Sequence, residues 1–263
     1  MPERAGETAV DILSLVHLMQ FGDSMLPTGA FAFSGALEAA AQTGVVHDAR
    51  TLQQYVVSSL HQASTGDAVG LAFAMRALCD DAVSVGGEVG EGTLARLGAV
   101  DLALYRRKLP EEFRDMMTKT GRKLAELGAE TTKSPLLSRW LSRIRTGGTP
   151  GSYPVSLAVL FAAAAFAGKP VRGTDGAEEE AMLQEGLTVY FYGVAMGLLN
   201  ASLRLMRVTH LETQAILYRS SVLFEPLCAR ALATPLERMT GYAPMTEILS
   251  AVHAGARVRL FMS

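Results

Sequence analysis

The chain has 263 residues, 49% of them hydrophobic and only 19% charged, with a formal net charge of −2. Ordinary domains carry roughly 25% charged residues, so this one either buries a large core or leaves part of its surface for partners to cover. The near-neutral balance gives no support to nucleic-acid binding. Two cysteines, Cys79 and Cys228, stand far apart in sequence, which argues against a disulfide framework and for a reducing, cytoplasmic setting.

Residues 1–8 mix acids and bases without a basic start and a clean apolar run, so they read as a flexible N-terminus and not as a signal peptide. The dominant period from there on is helical. Val10, Leu13 and Val16, with Ile12, Leu15 and Met19 beside them, form a stripe that ends near Phe21 and Gly22. Pro27 and Gly29 break the chain into a turn, and Phe33, Leu37, Ala40 and Ala41 predict a second helix closed at Gly44. Thr51 with Gln54 has the form of a capping box opening a third helix to about Ala63. A fourth runs from Asp67 to Cys79, and residues 80–92, rich in Gly and acids, read as a linker.

Leu94, Leu97, Leu104 and Tyr105 mark the next helix. Pro110, Glu111 and Glu112 start another, with proline in the first turn and acids at the positive end of the dipole; its stripe closes at Gly128. Ser134 and Pro135 open a helix carrying Trp140, and residues 147–154 form a loop. The stretch 155–167 is apolar on every side and belongs at the centre of the fold. A long helix over about 177–207 is acidic at its start and basic at its end. The helix from Leu211 is expected to kink or break at Pro226. Thr234, Pro235 and Glu237 suggest a capping box, and a last helix spans about 246–254. The expected fold is all-α: one bundle of about ten helices over residues 9–256, followed by a tail at 257–263.

Two stretches invite a membrane reading. Residues 155–167 are too short for a span, which needs about 20 residues. Residues 187–206 are long enough but contain Asn200 and Arg204, which are costly in lipid. Buried core helices account for both, although a helical membrane-associated protein stays as an alternative.

The motifs of common enzyme chemistries are missing. The only Gly-Lys pair, Gly168-Lys169, lacks the phosphate-loop spacing and the following hydroxyl. None of the five histidines, His17, His47, His61, His210 and His253, lies three or four residues from another His or a Cys, so no local metal site is visible. No Ser occupies a nucleophile elbow. The expectation is a protein that is not an enzyme and has no cofactor of its own.

Two strings carry more information. One is Leu26-Pro27-Thr28-Gly29-Ala30-Phe31-Ala32-Phe33-Ser34, with Leu37-Glu38 after it. A turn followed by core-facing residues explains the residue types but not the whole string. The other is the C-terminus, where His253 precedes a terminal Arg259-Leu260-Phe261-Met262-Ser263. It reads either as a frayed end that tucks onto the body or as a docking element. Together they resemble the opening and closing signatures of the UreF family of urease accessory proteins. Arg114 through Gly121-Arg122 to Leu127, and Tyr153-Pro154-Val155, resemble the family's middle. Ala36 departs from the pattern where the family has Gly, Ala254 where a Glu usually follows the His, and Phe33 where a more polar residue is common.

This resemblance implies an adaptor in nickel-enzyme maturation. Such proteins bind a scaffold (UreD, or UreH), recruit the GTPase UreG, are typically dimeric, and dock on apo-urease; nickel is handled by the complex. On this analogy Arg259, Leu260, Phe261 and Ser263, with His253, help build the GTPase-docking surface, ordering as the complex forms. Arg259 is the leading candidate because guanidinium groups make strong, directional contacts. Pro27, Gly29, Phe31, Ser34 and Glu38 are assigned to the fold and to dimer or scaffold contacts. A paralogue serving another metalloenzyme is the alternative.

Overall fold

The computed structural model describes residues 11–80, 90–165, 176–241, 244–256 and 259–262. The expected N-terminal segment 1–8, most of the linker at 80–92, the Gly168-Lys169 loop and Ser263 lie outside them. All the described regular elements are helical: twelve α-helices and two 3₁₀ turns. That is more than the ten or so expected.

Helix α1 (Ile12–Gly22) starts where the Asp11 carboxylate accepts from the amides of Leu13 and Ser14. A 3₁₀ turn, Ala30–Ala32, and then α2 (Leu37–Gln42) replace the single helix expected over Phe33–Ala41. The interruption has a backbone cause: Gly35 and Ala36 both have positive φ, at 59° and 64°, outside the helical region. α3 (Ala49–Thr65) is capped one turn earlier than expected. Asp48 is the N-cap, its carboxylate accepting from the Thr51 amide, while the Thr51 hydroxyl accepts from the Asp48 amide. α4 (Asp67–Asp80) and α5 (Glu91–Arg107) follow.

α6 (Glu111–Thr132) runs through Gly128, where an end was expected, and stops at Lys133 in the left-handed conformation. Glycine stays inside α6 because neighbours press on it: a Cβ at Gly121 would stand 2.2 Å from the Gly151 carbonyl oxygen, and one at Gly128 2.8 Å from Leu160. α7 (Pro135–Arg145) carries Trp140, whose indole N–H donates to Ser156 Oγ at 3.1 Å. α8 (Tyr153–Ala163) has every residue from Pro154 to Phe161 buried, as its all-round apolar character predicts. The loop before it is held by buried Asp101, which accepts from the Thr149 hydroxyl and from the Gly151 and Ser152 amides at 2.5, 2.6 and 2.8 Å.

α9 (Ala177–Leu205) is followed by α10 (His210–Ser221) and α11 (Phe224–Ala233). The break between the last two falls at Val222–Leu223. Pro226 sits in the first turn of α11, where no intrahelical bond needs its missing N–H. The capping box expected at Thr234 is absent; Leu236–Arg238 is a 3₁₀ turn without a side-chain cap. α12 (Pro244–Ala254) completes the set.

Two hubs organise the packing. α8 lies among α4, α6 and α7, while α9 packs on α1, α2, α3, α4, α10 and α11; α4 touches both hubs. α9 is the one described helix long and apolar enough to cross a membrane, and half of that stretch is buried inside this bundle. Cys79 and Cys228 are both buried, and neither is in a disulfide. One continuous core runs from Leu18 in α1 to Phe261 in the tail.

Candidate functional site: the seat of the C-terminal tail

The two strings singled out from sequence meet in space. α2 is only six residues long, and its placement depends on the turn before it. The Tyr55 hydroxyl on α3 donates to the Gly35 carbonyl at 2.7 Å, and Ser34 Oγ accepts from the Glu38 amide at 3.3 Å. Burial pushes the Tyr55 phenol well above its usual range, which keeps it a donor. These contacts fix the Glu38 side chain, 1% exposed, beneath the C-terminal tail.

Glu38 grips the tail by its backbone. Oε1 accepts from the Leu260 amide at 2.8 Å and Oε2 from the Phe261 amide at 3.0 Å. One carboxylate thus reads two successive N–H groups, and Gln42, one turn on, donates to Oε1 at 3.2 Å. The Met262 amide donates to the Ala32 carbonyl at 2.7 Å, joining the tail to the N-terminal turn directly. Phe261 is 5% exposed and lies under the Arg204 guanidinium, 4.5 Å from ring centroid to Cζ.

His253, fully buried, ties this seat to α6. Its Nε2 is 3.0 Å from Glu38 Oε2, and its Nδ1 is 3.0 and 3.1 Å from the two Glu112 oxygens. Both ring nitrogens thus face carboxylate oxygens, one on α2 and one on α6. Ser250 Oγ donates to Glu112 Oε2 at 3.3 Å, and Arg259 Nη1 reaches Glu112 Oε1 at 3.3 Å. Burial alone would raise the Glu38 carboxyl, but the Leu260 amide, the His253 ring and the Phe261 amide outweigh it and hold it below its ordinary value. Among the described residues no group of three or more His, Cys, Asp or Glu is arranged to hold a metal ion.

The candidate residues therefore divide into two sets. Ser34, Glu38, His253 and Phe261 are interior and form the seat. Pro27, Phe31 and Leu260 are exposed, Arg259 is nearly half exposed, and Gly29 supplies a φ of 81° to the turn. Residues 259–262 are already seated in the chain alone, whereas ordering on complex formation was expected. Glu112 was read as a dipole-favouring charge at a helix end, and Arg204 as that and as a residue costly in lipid; no local signal connects them with a tail more than 50 residues away. The spacing of Glu38 and Gln42, and of Ser250 and His253, does place each pair on one helix face.

Comparison with known proteins places the chain in a family. The UreF family model matches residues 46–170. The urease accessory protein UreF of Yersinia pestis (strain Pestoides F) is 41% identical over 249 residues, covering 94% of this chain and 97% of that protein. The proteins of the same name from Yersinia pseudotuberculosis (strain IP32953) and Yersinia enterocolitica have the same identity and coverage. With likeness at this level along nearly its whole length, the chain belongs to the UreF family of urease accessory proteins.

Proposed function

We propose that this chain is a non-catalytic adaptor in urease maturation: it binds the UreD/UreH scaffold, recruits the GTPase UreG, and presents both to apo-urease for nickel insertion. The observation that carries this reading is the relationship over 94% of the chain to proteins named urease accessory protein UreF. The tail geometry supports it. Arg259, Leu260 and Met262 stand at the surface beside the exposed turn that holds Pro27 and Phe31. The two strings meet through the Met262 amide and the Ala32 carbonyl and so build one composite surface. Nickel is cargo of the complex in this reading. The outward face of α1, with Ile12, Leu13, Val16 and Met19 exposed, suits a homodimer or scaffold contact.

The test is co-expression with the cognate scaffold and GTPase, followed by size-exclusion chromatography with light scattering. The expected result is a stable complex containing all three chains, lost on Arg259→Ala or on deletion of residues 259–263 while the helical circular dichroism is retained. Normal GTPase recruitment by both variants overturns the role given to the tail. A chain that stays alone beside folded partners overturns the adaptor reading.

A further inference from the structure

Beside the tail seat lies a groove that the tail does not fill. It runs between the first turns of α6, the outer face of α12 and the tail, and encloses about 820 Å³. Its apolar lining includes Phe33, Leu109, Ile248 and Met262, the last three exposed at 72%, 56% and 53%. Exposed apolar side chains gathered in a concave surface are characteristic of binding sites and not of ordinary surface.

The charge along this groove is lopsided. Four carboxylates line it, Glu111, Glu112, Asp115 and Glu247, against two cations, Lys119 and Arg259. Glu112 is engaged by His253 and Arg259, and Asp115 by Lys119 at 2.7 Å. Glu111 and Glu247 have no ion-pair partner among the described residues. An apolar trough flanked by unpaired carboxylates is complementary to apolar anchors flanked by Lys or Arg. The two N-terminal segments of the chain lack that chemistry. Residues 1–10 carry two acids against one Arg, and the exposed apolar helix α1 has neither Lys nor Arg.

We infer that this groove is a second docking site, which receives a basic segment with apolar anchors from the partner that binds the tail. The inference rests on the adaptor reading and deepens it. The tail supplies one contact through Arg259 and Leu260, and the groove supplies an adjoining contact that selects the partner by charge. Met262 belongs to both, so the two contacts form one continuous interface.

The experiment measures binding of the purified GTPase to the full chain in complex with its scaffold, across a salt series. The variants are Glu111→Lys with Glu247→Lys and, separately, Ile248→Asp. The expected result is at least a tenfold loss of affinity at low salt for either variant, with a flatter salt dependence for the charge-reversed one. Hydrogen exchange at the Leu260 and Phe261 amides unchanged from the parent chain before the GTPase is added confirms that the tail seat is intact in each. Affinity within twofold of the parent chain for both variants overturns the groove and leaves the adaptor reading standing. Failure of the parent chain to bind the GTPase overturns both. A variant that changes the oligomeric state of the chain alone assigns the groove to a second copy of this chain and also overturns the inference.

Discussion

At the scale of single residues, Glu38 does the most. It is a buried carboxylate with four donors in reach, two of them backbone amides of the tail. Glu38→Gln removes the charge and puts an NH₂ group against donors, which should cost roughly 3 kcal/mol, as breaking a buried charged pair does. The pH dependence has a definite sign. The Glu38 carboxyl is held below its ordinary value of 4.5 in the fold. Its stabilisation is therefore fully present above the unfolded value and is lost as the pH falls through the folded one. Urea titrations of the parent chain and Glu38→Gln should differ most near neutrality and converge as the pH falls below 4.5 and through the lowered folded value. A gap that widens on acidification would contradict this role. Ala36 is a second case where magnitudes decide. A non-glycine residue at its φ of 64° costs about 1–2 kcal/mol. Its buried methyl returns about 0.8 kcal/mol, and alanine gains up to about 1 kcal/mol over glycine through the unfolded chain. The terms nearly cancel, so Ala36→Gly should move stability by no more than about 1 kcal/mol, measured by the same titration. That balance explains how alanine holds this turn in place of glycine.

At the scale of elements, the register of α8 depends on Asp101 and Gly121. In Asp101, Oδ2 accepts from the Thr149 hydroxyl and the Gly151 amide, while Oδ1 accepts from the Ser152 amide. Asp101→Asn keeps one acceptor and turns the other into a donor facing a donor, so a loss of about 2 kcal/mol is expected. Gly121→Ala meets backbone on the far side, with the Gly151 oxygen at 2.2 Å and the Tyr153 nitrogen at 2.4 Å. Neither can swing aside as a side chain does, so α6 and α8 must separate, at a cost of about 2–3 kcal/mol. Thermal unfolding by circular dichroism reads both; an unchanged midpoint in either would mean that the loop and helix pair hold α8 less tightly than the distances indicate. Most helices here were legible in sequence because each buries a stripe at helical spacing or, in α8, every face. The ends were less so. Thr51 looks like an N-cap until Asp48, three residues earlier, takes that place. Gly128 looks like a stop because sequence does not show the partner against which it packs. The split between α10 and α11 falls at Val222–Leu223, within one turn before Pro226, where the proline ring would meet the Val222 carbonyl of a continuous helix.

At the scale of the whole molecule, both strings of the site were visible but their union was not. His253 and Glu38 are 215 residues apart in sequence, and His253 and Glu112 are 141 apart. Helical periodicity carries no information at that range; only a core that closes the chain on itself brings them together. Every described α-helix contributes to that core, and so does Phe261 of the tail. This continuity has a measurable consequence. Trp140 is the only tryptophan; it is fully buried in α7 and probes the α7–α8 end, while far-UV circular dichroism reports on all the helices. A single core should unfold as one unit, so the two signals should share one urea midpoint despite the length of the chain. The tail should behave differently. Apart from Phe261, residues 259–262 are held by a few bonds at the edge of the bundle, with Leu260 and Met262 facing out. Local opening there needs less free energy than global unfolding. The Leu260 amide should therefore exchange faster than the amides of α8, and the proposed binding of a GTPase should slow it. Equal exchange at the two places in the free chain would mean that the tail opens only when the whole bundle does, and a partner would then meet a fixed surface instead of a latch.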